Sequence, residues 1–170
     1  ISQKLWEDKY HLDDAINSPK EQMKNIKKIG LIKEGKGTLT LSGTNSYEGA
    51  TRVQGGVLKL TGNLVKSNVY SQSGGNLLLN NGIIENHAFA NGCMINIDKR
   101  GTIKISTNIN NKGSLNLNSG ELISQNVYIN NGGLLQGKGK ITGNLNNNGG
   151  EIYAGFNIGA KPWLKINPNY

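Results

Sequence analysis

The chain has 170 residues, the size of one domain, and its 24 Gly and 26 Asn stand against only 35% hydrophobic residues, too little apolar bulk for an ordinary globular core. A single cysteine, Cys93, excludes an internal disulfide, and no apolar run reaches the length of a membrane-spanning helix, about eighteen residues. The net charge of +8 points any electrostatic partner toward acidic groups.

Residues 1–36 differ in kind from the rest: few glycines, dense charge and apolar residues at helical spacing. Leu5, Leu12 and Ile16 can share one face of a first helix, with Trp6 and Tyr10 at its margin. Ser18-Pro19-Lys20-Glu21 then has the form of a capping box, with Pro19 at the first helical position. Met23, Ile26 and Ile29 form the apolar stripe of a short second helix, which Gly30 is placed to end. Such a helical segment would cover the exposed strand edges at the start of whatever follows.

From Gly37 to Leu60 a different rule takes over. Two Gly-x-Leu-x-Leu units carry Leu39 and Leu41, then Leu58 and Leu60, on alternate positions, as strands with one buried face do. Between them lies a turn-rich loop with its own short strand, Thr51-Arg52-Val53. Carried forward, the first inward residue of each unit falls at Leu39, Leu58, Leu77, Ile95, Leu115, Leu135 and Ile152, with spacings of 19, 19, 18, 20, 20 and 17. The stretch from Gly82 to Gly92 reads as a longer, less regular connection, with His87 in a loop. A period near twenty residues signals a β-solenoid in which each coil buries its leucines against the next. About seven coils at the spacing of paired strands make a rod roughly 30 to 35 Å long. The Asn clusters, among them Asn80-Asn81, Asn110-Asn111, Asn130-Asn131 and Asn146 to Asn148, belong at coil corners. There an Asn side chain bonds its own backbone or stacks on the Asn one coil away.

Ile32 to Leu60 resembles the passenger-associated repeat of type V (autotransporter) secreted proteins, carried by Gly35, Gly37, Thr38, Leu39, Leu41, Ser42, Gly43, Asn45, Tyr47, Gly49, Thr51, Val53, Gly56, Leu58 and Leu60. Gly132, Gly133, Leu135, Gly137, Gly139, Ile141, Gly143, Asn144, Asn148, Ile152, Gly155, Ile158 and Gly159 are similar to that family's later coils, although Ala154 stands where Pro is common. The likeness covers about 130 of the 170 residues. It implies an all-β protein, a right-handed parallel β-helix with a short helical N-terminal segment over 1–36 and the passenger rod over 37–170. It further implies a non-enzymatic stalk at the bacterial cell surface. Its partners would be an upstream passenger domain and a C-terminal outer-membrane barrel outside this sequence. No export signal or anchor is expected within the chain itself. Ala15-Ile16-Asn17-Ser18-Pro19 also resembles, with Ser18 in place of Gly, the A-x-x-G-P junction that follows the catalytic domain of subtilisin-like autotransporters.

Site chemistry is sparse. A serine-protease triad needs Ser, His and Asp brought together; the histidines here, His11 and His87, lack a Gly-rich nucleophile turn nearby and read as surface residues. The coils hold one Cys, one His, Asp98, Glu48, Glu85, Glu121 and Glu151, too scattered for a metal or for glycoside chemistry, so no cofactor is expected. Gly137-Lys138-Gly139-Lys140 lacks the Lys-Ser/Thr of a phosphate loop and reads as a β-arch. Cys93 reads as a small buried filler.

Residues 1–36 hold 8 Lys against 6 acidic residues and the rest 11 Lys or Arg against 5, so the rod itself is basic. Lys59, Lys104, Lys138 and Lys140 alternate with inward apolar residues and are expected to point outward. Two functions suit them: solubility of a bare stalk, or adhesion to acidic host glycans or matrix. Nucleic acid is not an expected partner, because aromatic and basic residues do not interleave on one strand.

Overall fold

A computed structural model describes residues 3–7, 29–72, 74–153, 156–158 and 164–166, and among them it contains strands and no helix. Eighteen strands form one continuous sheet wound into a parallel β-solenoid of about 6 turns. In chain order they are β1 (Gln3–Glu7), β2 (Ile29–Lys33), β3 (Thr38–Leu41), β4 (Thr44–Asn45), β5 (Thr51–Val53), β6 (Gly56–Leu60) and β7 (Asn63–Leu64). Then come β8 (Val69–Gln72), β9 (Gly75–Leu79), β10 (Gly82–Ile84), β11 (His87–Asn91) and β12 (Met94–Ile97). The longer β13 (Arg100–Asn110), β14 (Ser114–Asn130) and β15 (Leu134–Asn148) run round the corners without a break, and β16 (Glu151–Ile152), β17 (Phe156–Ile158) and β18 (Leu164–Ile166) follow.

Three faces result. Face A stacks β3, β6, β9, β12, the starts of β14 and β15, and β16. Its inward file is Leu39, Leu58, Leu77, Ile95, Leu115, Leu135 and Ile152, each paired with the next, which is the file read from the period. The five middle members are buried; Leu39 and Ile152, on the outermost rungs of the file, are half-buried against the core. The file runs unbroken from Leu77 to Ile95, because the stretch from Gly82 to Gly92 holds two regular strands, β10 and β11, rather than an irregular connection. Face B carries β4, β7, β10, the first part of β13 and the middles of β14 and β15. Face C carries β2, β5, β8, β11 and the ends of β13, β14 and β15.

The corner between faces C and A explains the glycine content. Gly56, Gly75, Gly113, Gly133 and Gly150 stand one residue before the outward file that opens face A, and Cys93 takes this position in the fourth coil. A Cβ at Gly113 would lie 2.5 Å from the Ala90 carbonyl oxygen and one at Gly133 2.6 Å from that of Ile109, so in these two coils the corner needs a bare backbone.

At the N-terminal side two expectations change. The helices expected from Leu5 to Ile29 fall largely on residues 8–28, outside the described residues. At their margins Leu5 and Trp6 lie in β1, and Ile29 and Gly30 in β2. The strand β1 pairs antiparallel with β2, the one antiparallel pairing of strands among the described residues, while β2 stacks in parallel on β5. Gly30 therefore ends no helix; it lies where a Cβ would run into the Ala50 backbone. Apolar spacing alone cannot separate a helix from a strand over so few residues.

Candidate functional site

The repeat's polar signature builds a buried corner. Ser67 donates to the Gly49 carbonyl oxygen at 2.7 Å and lies 2.8 Å from the Thr51 hydroxyl, which lies 2.7 Å from the Tyr47 hydroxyl. Each hydroxyl has one proton, so donation runs Tyr47 to Thr51 to Ser67 to the backbone. Burial pushes the Tyr47 phenol above its ordinary value, with the Thr51 contact opposing. All three hydroxyls have partners, and together they lock the corner of the second coil.

Lys33 does the same for the first coil. It is wholly buried, and its ammonium donates to the carbonyl oxygens of Glu34 at 2.7 Å, Gly35 at 2.9 Å and Gly55 at 2.9 Å, one for each proton. The signal was present in the period: Lys33 stands one coil before Val53, in an inward file.

The four lysines expected on the outside are there, but they do not gather. Lys59 lies half-exposed on face A, Lys138 is exposed at the corner after face A, and Lys104 and Lys140 are exposed on face B. Lys104 pairs with Glu85 at 2.9 Å and Lys140 with Glu121 at 2.9 Å, each across one coil. Glu121 also accepts from Arg100 at 3.2 Å and Thr142 at 3.0 Å. The bonds from Lys140 and Thr142 hold its carboxyl below the usual range, against a smaller opposing effect of burial. Glu48 and Lys66 make a fourth such pair at 2.7 Å.

His87 sits in β11 rather than in a loop, and its Nδ1 is 2.7 Å from the Ser106 hydroxyl. His11 lies outside the described residues. Cys93 is buried, and burial pushes its thiol up to about 11, against weaker hydrogen bonds from the Asn91 backbone and Ser71. At neutral pH it is a protonated filler and not a nucleophile. It borders a groove of about 580 Å³ along the corner between faces C and A, with Lys112, Asn131, Gly149 and Glu151 on its walls. Among the described residues no three His, Cys, Asp or Glu side chains come together as a metal site.

Of the asparagines expected to ladder at the corners, Asn110, Asn130 and Asn148 do so, and a second amide ladder, not expected, runs mid-strand on face A. Asn148 donates to Asn130 at 3.0 Å and Asn130 to Asn110 at 2.6 Å, while Asn116 donates to Asn96 at 3.0 Å and accepts from Gln136 at 2.6 Å. Asn81 and Asn111 turn corners with φ of 62° and 44°, which Asn tolerates better than most residues.

The described residues thus form a parallel β-solenoid whose outward faces carry ladders of side-chain amides. Residues 31–60 match the family model described as the passenger-associated-transport-repeat, and this repeat on a β-solenoid fits a passenger β-helix of autotransporters. No curated protein and no solved structure matches the chain. Among the described residues no helix is long and apolar enough to cross a membrane.

Proposed function

We propose that this chain is a stiff, non-enzymatic stalk segment of a surface-exposed autotransporter passenger, which displays an upstream domain and aids export by folding outside the cell. The observation that carries it is the unbroken file from Leu39 to Ile152, in which each coil is the template for the next. Residues 1–36 lead into the rod of residues 37–170 in this reading, with β2 already stacked on β5. The displayed domain is proposed to be a subtilisin-like protease, on the likeness of Ala15 to Pro19 to the junction after such domains; that stretch lies outside the described residues. A downstream outer-membrane barrel is the proposed anchor. Adhesion through Lys59, Lys104, Lys138 and Lys140 has less support, because two of the four already hold carboxylates.

The test places the chain between a reporter domain and an outer-membrane barrel and measures reporter on the cell surface. The parent should display more reporter than a Gly/Ser linker of equal length, and Leu115→Asp, which puts a charge in the core, should reduce display to the linker's level. Equal display by all three would overturn the folding role.

A further inference from the structure

From β8 onward, the strands of face C contain no Asp, Glu, Lys or Arg up to Asn148. Face A is similarly free of charge between Lys59 and Glu151, but only face C adds aromatic rings in its outward file: Arg52, Tyr70, Phe89, Asn108, Tyr128 and Asn146. Tyr70 and Phe89 stack with centroids 4.9 Å apart and planes 4° from parallel, and the Arg52 guanidinium lies 5.9 Å from the Tyr70 centroid. One face of Phe89 is thus covered by Tyr70, and the other is turned toward the short Asn108 of the next coil. The Nδ2 of Asn108 donates to the Ser106 hydroxyl of its own strand at 2.8 Å. Beyond it comes Tyr128, half-buried in the same file.

Phe89 and Tyr128 are two strand spacings apart, about 9.6 Å. A ring inserted between two aromatic faces needs about 9 Å, twice the closer ring-to-ring contact distance. Beside this notch runs the amide ladder of Asn110, Asn130 and Asn148. Asn130 spends one N–H on Asn110 and one lone pair on Asn148, the end rungs one group each, and all three keep others for a ligand.

We propose that face C binds an uncharged glycan, with one sugar ring seated in the notch over Asn108 between Phe89 and Tyr128 and neighbouring hydroxyls bonded to the amide ladder. The absence of charge over this stretch selects against acidic and basic polymers, and the alternation of ring faces with amides suits a ligand whose rings have apolar faces and hydroxyl edges. A second copy of the chain fits less well. A face about 16 Å wide and 29 Å long offers about 470 Å², against about 800 Å² per partner in a standard stable interface. The proposal is independent of the stalk reading, and either can fail alone.

The test is retention of the full chain on cellulose, dextran, mannan and chitin beads at low and high salt, with heparin beads as the charge control. Retention on at least one neutral matrix, insensitive to salt, is expected. Phe89→Ala should weaken it about tenfold. Asn108→Tyr, which fills the notch and extends the aromatic stack, should abolish it while raising thermal stability, so loss of binding is separated from loss of fold. Lys104→Gln with Lys140→Gln should leave it unchanged. No retention on any neutral matrix, retention that the lysine pair removes, or full retention by Asn108→Tyr would each overturn the proposal. So would a glycan-free dimer in sedimentation that Asn108→Tyr disperses, since the face would then belong to a second copy.

Discussion

Replacing Leu115 by Ala tests the inward register at the centre of the rod. Leu115 is fully buried in the file between Ile95 and Leu135. Strands on both sides are hydrogen-bonded to its own, so the coils cannot close over the space it leaves. The cost should fall in the upper part of the ~2–5 kcal/mol range for Leu→Ala in cores. In urea, with a slope of about 2 kcal/mol per molar, that moves the midpoint down by about 2 to 2.5 M. Asn116, the next residue outward, loses its bonds to Asn96 and Gln136 when replaced by Ala, a loss of about 1 to 2 kcal/mol. Lys138→Ala, exposed at its corner, should stay within about 0.5 kcal/mol of the parent. Far-ultraviolet circular dichroism follows the sheet directly, and the midpoint is the safer reading because repeat arrays can depart from two-state unfolding. Equal shifts for Leu115→Ala and Asn116→Ala would refute the register. The faces would be exchanged, and the outward placement of the lysines would go with them.

Lys33→Met keeps the length of the side chain but leaves three carbonyls without their donor. It should cost about 3 kcal/mol or more, read as an early-melting first coil by hydrogen exchange at residues 31–55, with the fourth and fifth coils unchanged. Cys93 should resist alkylation at neutral pH in the native chain and react on unfolding. Its folded value of about 11 lies above the ordinary thiol range, so its contribution to stability is whole below pH ~8.5 and is lost as pH rises toward 11. A thermal midpoint that Cys93→Ser makes less sensitive to pH across that window is the expected result, and unchanged sensitivity would count against burial of the thiol.

The inner files were legible because solenoid packing obeys a period: Leu58, Leu77, Ile95, Leu115 and Leu135 repeat on it and all are buried. What escaped is what the same period holds between side chains of different kinds. Glu85 and Lys104 are 19 residues apart, as are Glu121 and Lys140, and that separation is one coil, so these pairs could have been found by looking one coil along rather than along the strand. Lys33 escaped because a lysine in an inward file looks like an error of register until its three carbonyl partners are seen. The Tyr70–Phe89 stack is hidden in the sequence, because no stretch of five residues shows that Phe89 faces a tyrosine 19 positions earlier. Residues 3–7 escaped because β1 takes its partner from β2, more than twenty residues away, and long-range pairing overrides a weak helical pattern.

The coils differ in length mainly where the chain turns. Between the outward Asn91 and the residue before face A there is one residue, Gly92; between Asn110 and Gly113 there are two, yet the following strands, β12 and β14, meet in perfect step. The pairing of β14 with β15 likewise skips a residue between Asn118 and Gly120 and recovers at once. Single-residue insertions and deletions at corners are therefore nearly silent for the rod, whereas one inside a strand would turn a leucine file to the water. Over long stretches of sequence drift, a protein of this design can change its spelling and even its length, coil by coil, while keeping its shape, provided the gains and losses fall at the bends.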